Sequence, residues 1–261
     1  MHELPLLIFT LFLQGSVGVT LWLAFGSTQR SALLPAAGAF VLASLGLLAS
    51  ALHMGYPLNA FNALRHVSSS WLSREIIFAS LYLAALGLAT LLMFVKKPGW
   101  KPLLVVAGLV GLVDVFCMAQ IYMHASVVTW QHVNTLVLFI GSVGIIGSAC
   151  MVVGTRSQST VRAAVVIITL LVLVLVRLVM QPVWLADITA MDHTVVTFPH
   201  APLQMLEQLR TVHLLSWCVS VAGMLCFAAG GLKAARGTML LGSALLIVGE
   251  LMLRFVFFSI G

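Results

Sequence analysis

The sequence predicts an all-α membrane protein of eight transmembrane helices with both termini on the outer side. Three observations predict it. The 261 residues are 61% hydrophobic and only 8% charged, and mean hydropathy is +1.13. A single soluble core of this size does not enclose so much apolar surface. Apolar runs of about 20 residues, the length that crosses hydrocarbon as helix, recur along the whole sequence. They leave no room for a separate soluble domain, so 1–261 reads as one integral-membrane domain. The third observation is the charge pattern of the connections, taken up below.

The spans follow in order. The first covers about Leu4 to Ala24 and reads as a retained helix: Met1-His2-Glu3 has no basic residue, and no small-residue cleavage site ends the run. Span two covers about Leu33 to Leu52 and is ended by Gly55 and Pro57. Span three covers Arg74 to Val95, with Ser73 as its N-cap. Spans four and five are Leu103 to Met123 and Thr135 to Val153. Span six, Val161 to Met180, is expected to stop at Pro182. Spans seven and eight are Val212 to Ala229 and Met239 to Ile260. The longest connection, Gln181 to Gln204, is long enough to serve as a docking surface. No internal repeat or low-complexity segment interrupts the series.

The connections alternate in charge. The odd ones hold eight basic residues: Arg30, Lys96, Lys97, Lys101, Arg156, Arg162, Lys233 and Arg236. The even ones hold three, Arg65, Arg74 and Arg210. Lys and Arg mark the cytoplasmic side, so the termini and the even loops face outward. The sequence pI of 9.6 therefore reflects orientation rather than a nucleic-acid partner, and membrane lipid is the expected surrounding. All eight histidines fall in outward loops or at outer helix ends. The four cysteines, Cys117, Cys150, Cys218 and Cys226, lie in apolar runs without CxxC spacing and read as small buried residues.

The stretch Leu52–Ile77, LHMGYPLNAFNALRHVSSSWLSREII, gathers His53, Arg65, His66, Arg74 and Glu75 between two spans. A charge inside a span costs about 2.5 to 3.5 kcal/mol on insertion scales, so each needs a partner or a task. Glu75 in the first turn of span three is either favoured by the helix dipole or a proton acceptor at the outer boundary. Glu250 and Arg254, spaced i, i+4, share a face and are expected to form an intrahelical ion pair. Asp114, mid-span, needs a partner that Arg177 or Arg254 can supply; Arg177 can equally snorkel outward. His53 and His213 are two ring ligands of the kind that hold a haem. A quinol site needs less: an acceptor for each hydroxyl and a route for protons to water. His53 and Glu75 on adjacent helices supply both. Two other function classes stay open on these residues: a haem-bearing cytochrome b-type subunit using His53 and His213, and a transporter built on Asp114 and Glu250.

The same hairpin resembles the signature of the dimethyl sulfoxide reductase membrane-anchor family. Three further stretches support the resemblance: HELPLLIFT (His2–Thr10), VVTW (Val127–Trp130) and GELMLRFVFF (Gly249–Phe258). It spans the whole chain. What it implies is an eight-helix anchor in a bacterial inner membrane, its outer face periplasmic, that oxidises menaquinol during anaerobic respiration and carries no haem. Electrons would pass to an iron–sulfur subunit and on to a molybdopterin catalytic subunit, where the terminal chemistry takes place. The family's quinol-binding histidine and glutamate fall on His53 and Glu75. Arg65 and Arg74 either stabilise deprotonated quinol or meet lipid headgroups. The chain departs from the pattern at Tyr56, where a small residue is usual, at Arg74 and Gln120, and at Asp114; it also stops at Gly261, short of the usual tail. These departures leave open which S- or N-oxide the complex reduces.

Overall fold

The computed structural model describes residues 4–25, 28–53, 64–154, 160–191 and 202–260. Among them the chain forms nine α-helices and no strand: α1 Leu4–Ala24, α2 Gln29–His53, α3 Trp71–Phe94, α4 Trp100–Met123, α5 Val133–Gly154, α6 Thr160–Met191, α7 Pro202–Gln208, α8 Arg210–Leu232 and α9 Arg236–Ile260. Short 3₁₀ turns at Leu64–His66 and Val128–Trp130 break two of the connections. All but α7 are long and apolar enough to cross a membrane, which bears out the eight expected spans.

The helices pack as two four-membered rings. In the first, α1 packs on α2, α2 on α3, α3 on α4, and α4 back on α1. In the second, α5 packs on α6, α6 on α8, α8 on α9, and α9 back on α5. The rings join mainly where α1 crosses α5. Glycine permits that crossing. A Cβ on Gly18 would overlap the backbone of Val143 and Gly147, and one on Gly147 would overlap the backbone of Gly18. Close approach of small residues replaces the hydrophobic drive that lipid removes. α1 is accordingly the most enclosed span. Leu13, Val17 and Leu23 are buried on it, beside the polar Gln14, Ser16 and Thr20.

Several boundaries differ from expectation, and two of them bear on the site. α3 starts at Trp71, and its N-cap is Ser70, whose hydroxyl accepts from the Ser73 amide at 3.4 Å. Ser73 itself is buried. Glu75 is therefore past the first turn, where the helix dipole has faded. α6 does not stop at Pro182 but continues to Met191. Beyond the proline, Trp184 is buried and its Nε1 donates to the Thr129 carbonyl at 3.1 Å. Ile188 packs with Val256 and Ile260 of α9. These contacts offset the lost hydrogen bond of the proline, and they shorten the long connection expected over Gln181–Gln204. The cysteine expectation also needs one correction. All four thiols are free, but only Cys117 is buried, and Cys218 faces outward from α8.

Candidate functional site

A cavity of about 370 Å³ opens inside the first ring. Its walls come from α1 (Leu6, Phe9), α2 (Leu47, Ser50, Ala51), α3 (Leu72, Glu75, Ile76, Ala79, Ser80) and α4 (Ile121, Tyr122). The lining is apolar apart from two serines, a tyrosine and one carboxylate. Glu75 is 6% exposed and makes no ion pair among the described residues. A buried acid without a cation in an apolar pocket is costly unless it serves a ligand or a proton.

The residues around Glu75 organise the start of α3. Arg74, its neighbour in sequence, turns away from the cavity. Its guanidinium lies 4.2 Å over the Trp71 ring; Nε donates to the Val67 carbonyl at 2.9 Å and Nη2 to that of Ser68 at 2.6 Å. Arg74 thus ties the connection to the start of α3, and Trp71 in turn meets Phe116 and His124 at the end of α4. Arg65 and His66 sit exposed in the 3₁₀ turn. His53 is the last residue of α2, two positions beyond Ala51 of the cavity wall; its side chain lies outside the described residues. Of the four residues singled out on the hairpin, the fold brings Glu75 to the cavity wall, and neither Arg65 nor Arg74 is among the residues that line it.

The second ring carries the other buried charges, and they pair differently from expectation. Arg177 of α6 is 2% exposed. It forms the ion pair with Glu250, and also donates to Ser142 Oγ at 2.8 Å and to the Leu138 carbonyl. Ser142 Oγ donates to Glu250 at 2.7 Å. Arg254 forms no ion pair with Glu250; it reaches across to Gln14 Oε1 of α1 at 2.7 Å and to Ser142 Oγ at 3.0 Å, with its guanidinium 4.0 Å over the Phe139 ring. The expected i, i+4 pair gives way because a facing helix offers a planar fork of donors to the carboxylate. Gly141 makes the room, since a Cβ there would meet the Arg177 guanidinium. Arg177 does not snorkel, and neither arginine serves Asp114. That carboxyl is fully buried with both oxygens lacking a hydrogen bond among the described residues.

A wider groove of about 730 Å³ runs between α6, α7 and α8, lined in part by Trp184, Arg210, His213 and Trp217. His213 Nε2 accepts from Trp217 Nε1 at 3.1 Å. The two candidate haem histidines belong to different rings, His53 to the first and His213 to the second. Sequence reasoning missed the latch at VVTW. Trp130 stacks on Phe257 at 5.4 Å and 16° and donates to its backbone carbonyl at 2.9 Å. Two of the resembling stretches, far apart in the sequence, thus bind one another. An indole next to a tight turn is the signal that marks such a latch.

A bundle of eight membrane-crossing helices with an apolar cavity at one end defines a polytopic membrane subunit. The family model described as "DMSO reductase anchor subunit (DmsC)" matches residues 1–260, and the chain belongs to that family. It is 35% identical over 157 residues to the C subunit of the anaerobic dimethyl sulfoxide reductase of Escherichia coli K12, covering 54% of this chain and 55% of that one. It is 31% identical over 150 residues to the C subunit of the Haemophilus influenzae anaerobic dimethyl sulfoxide reductase, covering 52% of each. The chain thus spans about half the length of these two curated relatives. A longer match, 27% identical, joins 99% of this chain to 95% of YnfH, an anaerobic dimethyl sulfoxide reductase subunit of E. coli K12. No solved structure matches. The chain is therefore a multi-pass membrane protein of the anchor family, and a bacterial inner-membrane location fits its relatives.

Proposed function

We propose that this chain is the quinol-oxidising anchor of an anaerobic respiratory molybdoenzyme of the dimethyl sulfoxide reductase type. The observation that carries the proposal is Glu75: a buried acid, without an ion-pair partner among the described residues, on the wall of a 370 Å³ apolar cavity. That volume falls within the range of small-molecule sites, about 300 to 1,000 Å³, and an apolar wall suits a quinol ring and the start of its tail. Menaquinol is the substrate this reading assigns. Glu75 takes the proton of one hydroxyl, and His53, at the end of α2, accepts a hydrogen bond from the other. Arg65 or Arg74 either favours an anionic form of the quinol or meets lipid headgroups, and Arg74 does the former only by leaving the Val67 and Ser68 carbonyls. The two electrons leave to an iron–sulfur subunit, then to a molybdopterin catalytic subunit, and the protons leave outward. This reading asks for no haem. The family resemblance and the comparisons with relatives support the partner assignment.

The test measures two activities on the same membranes. Glu75→Gln keeps shape and hydrogen bonding but removes the proton acceptor, and His53→Ala removes the ring. Loss of a proton acceptor typically slows a reaction by about 10²- to 10⁴-fold, so quinol-driven turnover is expected to collapse in both variants. Turnover with an artificial donor that reduces the partner subunits directly is expected to persist. Near-normal quinol oxidation in both variants sinks the site, and loss of both activities marks failed assembly. A Soret band in the purified chain, lost on replacing His213, would favour the haem-bearing class instead.

A further inference from the structure

Three acids are buried among the described residues. Glu250 is held by Arg177 and Ser142, and Glu75 faces the cavity. Asp114 has no hydrogen-bond partner among the described residues and no assigned task. Its position gives it one. α3 and α4 pack along their lengths, and Gly111 lies against the Tyr82 ring. Asp114 is one turn after Gly111, and Ala79 is one turn before Tyr82, so Asp114 is level with Ala79 of the cavity wall. It therefore sits one helical turn deeper than Glu75, about 5 Å along the axis, and within reach of that group's field.

Among the described residues, the nearby arginines with contacts are held elsewhere, while Arg65 is exposed. Arg74 is tied to the Val67 and Ser68 carbonyls, and Arg254 to Gln14 and Ser142. The titratable neighbours of Asp114 are Glu75 and Tyr82 on α3 and Cys117 on its own helix. From α1 come the hydroxyls of Ser16 and Thr20, which are bound to Tyr82 Oη at 2.6 and 3.0 Å. The Ala79 backbone amide approaches the carboxyl without forming a hydrogen bond of ordinary geometry, and an ionised carboxylate with so little to pair it is a costly state for the site. A neutral carboxyl is far cheaper, and it carries an O–H to give.

We propose that Asp114 is a positioning residue for quinol oxidation: a neutral carboxyl below the cavity that donates its O–H to the Glu75 carboxylate, directly or through one water, and so lets Glu75 ionise inside the membrane. The proposal rests on the quinol reading of Glu75 and deepens it. Charge-assisted O–H···O⁻ bonds are among the strong ones, and a hydrogen bond to the ionised form favours that form. In the balance of the step, quinol yields two electrons to the iron–sulfur partner and two protons, one to Glu75 and the other from the second hydroxyl to water on the outer side. The Asp114 proton stays where it is.

The experiment follows quinol oxidation against pH in the assembled complex for wild type, Asp114→Leu, Asp114→Asn and Glu75→Gln, with the artificial-donor activity as the measure of assembly. Leucine removes the donor, so Glu75 needs more alkaline solution to ionise, and the acid limb should move up by about one pH unit or more. Asparagine keeps an N–H donor and should leave the limb between the two. Infrared difference spectra of wild type against Asp114→Asn should show the carbonyl band of a protonated carboxyl. An unmoved acid limb in Asp114→Leu, with Glu75→Gln impaired, overturns this proposal alone. So does an absent carbonyl band, which decides the matter even if Asp114→Leu fails to assemble. Near-normal oxidation in Glu75→Gln removes the quinol reading and this proposal together.

Discussion

Residues that look alike in the sequence separate by what they touch. Glu75 and Glu250 are both buried acids, yet one faces open space and the other is held by a guanidinium and a serine hydroxyl. Glu250 is the hub of its cluster, with two arginines arranged around one carboxylate through Ser142. Removing it leaves Arg177 buried and uncompensated, a loss typically of about 3 to 5 kcal/mol. Glu250→Leu is therefore expected to lower the thermal stability of the purified chain sharply. Adding Arg177→Met is expected to recover part of it, since the unpaired charge goes too. Thermal unfolding of the two variants in detergent checks this; equal or additive losses would mean that the pair is not coupled. The i, i+4 spacing of Glu250 and Arg254 was legible in the sequence. What was not legible is that α6 faces Glu250 with an arginine, because spacing describes one helix and pairing depends on its neighbours. Glu75 was legible as a candidate; its place on a cavity wall depended on four helices at once.

At the scale of the helices, composition identified every span, since runs of apolar residues have one way to satisfy their backbone in lipid. Ends were harder. Pro182 removes a donor and costs about 3 kcal/mol in a helix interior, which reads as a stop. The burial of Trp184 and Ile188 beyond it is tertiary and invisible to local rules. Ser70 outcompetes Ser73 for the cap because Trp71, docked on α4, starts the helix earlier. The crossing of α1 and α5 gives a direct test of element packing. Gly147→Ala pushes a methyl group into the Gly18 backbone, and overpacking typically costs about 1 to 3 kcal/mol. Gly38→Ala, with nothing within 4 Å of its added carbon, is the matched control and is expected to be neutral or slightly stabilising. Equal melting temperatures for the two variants would show that the crossing yields freely.

For the whole molecule, orientation decides where protons go. Eight basic residues on the odd connections against three on the even ones predict the even connections and both termini outside. Reporter fusions after Gly261 and within 192–201 should report the periplasm, and fusions at Lys97 the cytoplasm. The opposite pattern would turn the end of the first ring that carries Glu75 to the cytoplasmic face. The sequence supports this expectation because charge bias is a count. It did not carry the division into two rings, since no repeat marks it and only the contacts between helices reveal it.

That division has a consequence for how the chain is made. Every described residue of the cavity wall precedes His124, while the residues that clamp Glu250 come from α5 and α6. Synthesis runs from the N-terminus, so a ribosome delivers the whole wall of the pocket before the first residue of the second ring exists. The half that holds the cavity is thus made first, and its flank at Gly18 has no partner until α5 is made.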